Sequence, residues 1–226
     1  MSLPHRQGGW IDIDKNRLVT QITYAVAADG SRKTTSPSIL GPFWSPNAPF
    51  RDNGDTIVRS PHNGRSCLMH GKVTDLRTGK GIPNAVVDIW EASSNGKYDF
   101  QDPDNQEPNN LRGKFRTDAN GDYWFYCLKP TGYSLPHDGP AWTLLQALNR
   151  HSMRPAHIHL MITAPGFTTV TTQLYPDDDP YTYNDTVFAV KDDLVVRFTP
   201  RDNDPKAELD LHFDMCLESL NEASRL

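Results

Sequence analysis

From Cys67 onward, apolar and polar residues alternate in short runs, each closed by a turn signal. LMHGKVTD (68–75) alternates and stops at RTGKG; NAVVDIWEA (84–92) reads as a second strand. A period of two sends neighbouring side chains to opposite faces of a sheet. GKFRTD, ANGD and YWFYCL (113–128) carry the Asn-Gly signal of a tight hairpin. AHIHLMIT, APG and FTTVTTQLY (156–175) predict another, and VFAVKDDLVVRFT and AELDLHFDMCL close the series. Eight or so short strands at regular turn spacing predict a mainly β chain, folded as a two-layer β-sandwich with long loops. One short helix is predicted over 141–149, introduced by Asp138 and Pro140.

The first part of the chain reads differently. Residues 17–26 (RLVTQITYAV) fit a strand or a short helix, and their β-branched residues favour strand. Serine, threonine and proline over 31–37 predict a linker, so that 1–36 form an arm and 37–226 the domain. Residues 39–66 hold LGPFWSPNAP, RDNGD and PHNGR, an ordered loop anchored by Phe43, Trp44 and Phe50. Trp90, Trp124 and Trp142 are expected in the core.

Composition narrows the function. A length of 226 residues allows one substantial core. A formal net charge of −5 without a basic stretch argues against a nucleic-acid partner. No run of about 18 apolar residues occurs, so no transmembrane helix is expected. MSLPHRQGGW lacks the apolar centre of a signal peptide, and Cys67, Cys127 and Cys216 read as buried reduced thiols; both point to a cytoplasmic protein.

Candidate chemistry starts at His157-Ile158-His159. Alternate residues of a strand lie about 6–7 Å apart on one face, so both imidazoles converge on one ion or simply face water. Tyr98 follows a strand through SSNGK, and Tyr133 lies in KPTGYSLPHDGP; either fits an ordinary tyrosine with a packed ring and a wet hydroxyl. Two phenolates and two imidazoles together select a strongly acidic, hard cation, because free tyrosine titrates near 10. Iron(III) fits better than zinc or copper(I), and two phenolates plus a hydroxide neutralise it.

LGPFWSPNAP, GKVTDLRTGKGIPNAVVDIWEASSNGKYD, GYSLPHDGP, RHSMRPAHIHLMI and TTQLY closely resemble the intradiol ring-cleavage dioxygenases, over roughly 36–217. The resemblance implies an Fe(3+) centre held by Tyr98, Tyr133, His157 and His159, with Tyr133 and His159 axial. It implies a vicinal diphenol and dioxygen as substrates, Tyr133 as the ligand that lets go, Arg154 and Gln173 beside the substrate, and Ile39 and Pro42 on the pocket wall. Met153 before Arg154 resembles the hydroxyquinol 1,2-dioxygenases, whose product is maleylacetate; catechol 1,2-dioxygenase, giving cis,cis-muconate, is the alternative. Members of the catechol and hydroxyquinol type usually start with a long helical region that makes the dimer contact and binds a lipid. Residues before LGPFW show no heptads or amphipathic stripe, so that region is expected to be short or missing, and a homodimer is left open.

GKVTDLRTGKGIPNAVVDIW alone also resembles transthyretin-like sandwiches, which bind without metal. Asp177-Asp178-Asp179, and Asp102, Asp104 and Glu107, lack calcium-loop spacing and read as solvated loops. His137 reads as a loop histidine near Tyr133, and His62, His70, His151 and His212 have no partner by spacing.

Overall fold

The computed structural model describes residues 30–220. In chain order the strands are β1 (Ser66–Asp75), β2 (Val86–Glu91), β3 (Arg112–Arg116), β4 (Asp122–Leu128), β5 (Tyr133–Ser134) and β6 (Met153–Arg154). β7 (Ile158–Thr163), β8 (Val170–Pro176), β9 (Val195–Val196), β10 (Thr199–Pro200), β11 (Leu209–His212) and β12 (Met215–Leu217) follow. The helix α1 covers Pro140–Ala147, with Pro140 in its first turn, where a missing N–H costs nothing.

Two five-stranded sheets form the sandwich. In the first, β1 pairs with β4 on one side; on the other it pairs in parallel with β11 over its first half and with β12 over its second. The second runs β3-β2-β7-β8-β9. Between them lies an apolar core that includes Met69, Val87, Ile89, Ile158, Leu160 and Leu211. Phe115 of β3 and Phe125 of β4 stack across the layers with centroids 4.5 Å apart.

The hairpin predicted over 113–128 does not form. β3 pairs with β2 and β4 with β1, so ANGD arches from one sheet to the other. Gly121 takes φ +84°, and a Cβ there would come within 2.7 Å of Val73 O. The Asn-Gly signal specifies the backbone turn; packing decides where the strands go next. The 156–175 hairpin forms as predicted. Residues 187–199 form only a 3-10 turn (Asp192–Leu194), β9 and the first residue of β10.

The stretch 31–37 is packed rather than a free linker. Thr34, Thr35 and Ser36 are buried. Thr35 N bonds to Cys216 O, and Thr172 Oγ1 donates to Ser36 O, so this segment ties the two sheets together. The strand expected at 17–26 lies outside the described residues. Trp90 is buried as expected, but Trp124 is 38% exposed on the outer face of β4 and Trp142 is partly exposed on α1. Among the described residues, the three cysteines are free and no helix is long and apolar enough to cross a membrane.

Candidate metal centre

Tyr98 leaves β2 through a tight turn. Ser93 N bonds to Lys97 O, and Gly96 takes φ +76°, where only a Cβ-free residue rests without strain. The turn drives the Tyr98 ring inward to 1% exposure, against Phe43 at 4.6 Å between centroids. Arg112, paired to Asp99, lies 5.5 Å from the ring centroid and donates to Phe43 O, which fixes the loop over the site. Tyr133 arrives on β5, a two-residue ladder with β6, in which its partner is Arg154. His157 immediately precedes β7 and His159 lies within it.

The four side chains converge. Centroids are 6.4 Å apart for Tyr98 and Tyr133, 5.5 Å for Tyr133 and His157, and 4.8 Å for His157 and His159. His159 stacks on Trp90, its register partner on β2, at 4.7 Å and 10°. Gly41 lets the 39–44 loop close on that ring, since a Cβ there would sit 3.2 Å from His159 Cε1.

Several polar atoms here lack partners. Tyr98 Oη and His159 Nδ1 are buried without a hydrogen bond, each a cost in an enclosed site unless something else satisfies it. His157 Nδ1 donates to Pro155 O at 2.7 Å, which leaves Nε2 as the acceptor, and Arg154 Nη1 donates to it at 3.2 Å. Burial pushes the Tyr98 phenol well above its ordinary pKa, and neighbouring Tyr133 adds to the rise. Burial raises Tyr133 too, against the pull of Arg154. Both imidazoles are driven well below the usual histidine range by burial, then by Arg154 at His157 and by His157 at His159. The phenols ionise only if a cation offsets their charge, while the imidazoles stay neutral with a lone pair to offer. Among the described residues no three His, Cys, Asp or Glu side chains form a metal cluster, so a metal here must recruit the phenols. Two inward-facing phenols, one buried and one partly buried, and two neutral imidazoles fit a hard trivalent cation.

Arg154 is 3% exposed and forms a buried ion pair with Asp185 at 3.2 Å, rather than a surface bridge. Its Nη2 donates to Gln173 Oε1 at 3.0 Å; Gln173 also accepts from Tyr175 Oη and donates to Ile39 O. Gln173 therefore braces Arg154 and the 39–44 loop. The Ile39 side chain packs against the main core, and Pro42 is exposed beside Gly41.

Sequence reasoning missed Asp185, whose loop carries no periodic signal, and misread Asp179 as solvated. Asp179 Oδ2 accepts from Ala156 N, next to His157, and lies 3.2 Å from where a Gly132 Cβ would stand, next to Tyr133. Asp102 is likewise buried, accepting from Asn95 and Asn105 to order the loop after Tyr98. His137 accepts or donates to Ser134 and Ser152 at 3.1 and 2.8 Å and stacks on Trp142, linking the strands of Tyr133 and Arg154.

A family model described as Dioxygenase matches residues 39–219, a span that contains all four convergent residues. The intradiol ring-cleavage dioxygenase prcA of Aspergillus niger is 56% identical over 88% of this chain and 64% of its own length. Catechol 1,2-dioxygenase of Candida albicans is 40% identical over 96% of this chain and 73% of its own. The crystal structure of hydroxyquinol 1,2-dioxygenase from Pseudomonas putida superposes with a TM-score of 0.77 at 36% identity, covering 83% of this chain and 67% of that one. The chain thus spans about two thirds of the proteins it matches. Sequence, fold and the placement of the phenols and imidazoles agree: the chain belongs to the intradiol ring-cleavage dioxygenase family.

Proposed function

We propose that this protein opens the ring of a catechol-type diol with dioxygen, between the two hydroxyl-bearing carbons, at iron(III) held by Tyr98, Tyr133, His157 and His159. The observation that carries the reading is the convergence of two phenols and two imidazoles, with buried Tyr98 Oη and His159 Nδ1 unpartnered. When bound, iron(III) held by these four residues would supply a Lewis-acidic centre for the diol oxygens.

The chain supplies the rest. Tyr98, His157 and His159 hold their places, each fixed by a packed wall or strand. Tyr133, on its two-residue ladder, swings away and takes a substrate proton at Oη, a general-base role. Arg154, held by Asp185 and Gln173, presents a fixed positive charge to the negative charge that develops on the ring. Ile39 and Pro42 contribute to the substrate wall.

Hydroxyquinol, opened to maleylacetate, is the preferred substrate, on the ground of Met153 before Arg154. Catechol is the second reading, supported by the Candida albicans relative that matches 96% of this chain. Oxygen uptake with hydroxyquinol, catechol, chlorocatechol and protocatechuate, with ultraviolet spectra of the products, decides between them. Fastest uptake with hydroxyquinol is expected; ready turnover of protocatechuate overturns the substrate choice, and extradiol products overturn the mechanism. A metal-free binding module would stay colourless after iron(II) loading in air, whereas tyrosinate-to-iron charge transfer makes the enzyme wine-red.

A further inference from the structure

The outer face of the first sheet carries a second pair of imidazoles that the ring-opening site does not use. His70 on β1 and His212 on β11 stand directly opposite each other in the parallel register. Cys67, Met69 and Gly71 are buried along β1, whereas His70 is only half-buried, on the outer face. The two rings lie 5.2 Å apart between centroids, against 4.8 Å for the buried pair His157 and His159.

The His70 ring is held by a carboxylate, and the exposed His212 ring lies beside a second one. His70 Nε2 is 3.0 Å from Asp210 Oδ2, and His212 Nε2 is 3.1 Å from Asp214 Oδ1. The carboxylate at Nε2 of His70 keeps the proton there and leaves the lone pair on Nδ1, the arrangement that orients metal-binding histidines. Nδ1 of neither ring has a hydrogen-bond partner among the described residues. The carboxylates are themselves fixed: Asp214 accepts from Lys72 N at 2.8 Å, and Asp210 from Arg201 Nη1 at 2.6 Å. The two cations nearby are engaged, Lys72 Nζ by Asp122 and Arg201 by Asp204 and Asp210, so little free positive charge faces the rings. A cleft of about 530 Å³ opens in front of them, with room for water.

We propose that His70 and His212 bind one divalent transition-metal ion, copper(II), nickel(II) or zinc(II), with water completing its coordination. Imidazole nitrogen suits these ions, and copper(II) binds tightest of the three. Two protein ligands make the site open and exchangeable. A closed structural site would need a larger cluster, and none occurs among the described residues.

The test uses iron-loaded protein titrated with copper(II), followed by calorimetry and electron paramagnetic resonance. Iron content is measured in the same samples, so that displacement from the buried centre is told apart. One copper equivalent beyond iron is expected, with nitrogen hyperfine structure. His70→Ala and His212→Ala should each weaken binding about tenfold or more, and Asp210→Asn about tenfold, within the range for such outer partners. His70→Gln keeps the side-chain volume should alanine disturb the strand. Copper should also quench Trp124, the register partner of His70 on β4, and Trp124→Phe should remove that quenching. Ring-opening rates should stay unchanged in the histidine variants. Equal copper affinity in the wild type and the H70A/H212A double variant, or no copper equivalent beyond iron, overturns the proposal.

Discussion

Tyr98 and Tyr133 bring the same phenol to the same cluster but are mounted in opposite ways. Tyr98 is 1% exposed and walled by Phe43, Trp90 and Arg112. Tyr133 is only partly buried and rests on a ladder of two residues, β5 with β6. Packing of the first kind gives way only with the surrounding core; a two-residue ladder opens at small cost. The comparison teaches that two phenols of one chemistry divide by anchorage, which suits the proposed roles of a fixed and a releasable ligand.

The largest expected effects break that division directly. Tyr98→Phe should yield protein that neither retains iron nor turns red, as metal analysis and visible absorption will report. Tyr133→Phe should keep most of its iron, with weaker colour, while kcat falls about 10²–10⁴-fold through loss of the proton acceptor. Equal iron loss in both variants would erase the distinction between them.

Next in size is the support of the releasable half. Arg154 and Asp185 are both buried, so Asp185→Asn leaves a guanidinium without its counter-charge. Denaturant unfolding should show a loss of about 3 kcal/mol. A loss below about 1 kcal/mol, the scale of an exposed pair, would mean water reaches Arg154.

A further effect, read through pH, sharpens the fixed half. Glu91, at the end of β2, accepts from Leu128 N through Oε1, while Oε2 is buried without a partner. Burial pushes its pKa up to about 8 from 4.5. The folded state therefore holds a proton that the unfolded state has released, and stability falls as pH rises from about 4.5 to about 8. Glu91→Gln keeps the bond to Leu128 and should flatten that slope. The gain at pH 9 should be a few kcal/mol, at about 1.4 kcal/mol per pKa unit. An unchanged slope would place the titration elsewhere.

How much of this could be read in advance follows from which signals are local. β1, β2 and the β7–β8 hairpin were visible because alternation and turn residues act over a few positions. The four convergent residues were visible through family motifs, with His157 and His159 supported by their spacing. The arch at Asn120-Gly121 was not, since the same turn serves a hairpin or a sheet-to-sheet crossing. Asp185 and Asp179 were not, because their roles depend on where Arg154 and Ala156 arrive in space. His70 and His212 pair only through strand register, which no spacing along the chain encodes.

The sharing of β1 between β11 and β12 bears on how the protein reaches this state. His70 bonds to Asp210, a partner 140 residues away in sequence, and the same edge of β1 is finished by β12. The central strand of that sheet therefore waits for a distant segment before its hydrogen bonds are complete. Closing so large a loop precedes any reward from the contact, so folding should be slow, on the millisecond-to-second scale of non-local β topologies. Until then the open edge of β1 is the part of the nascent chain most in need of shielding from other strands.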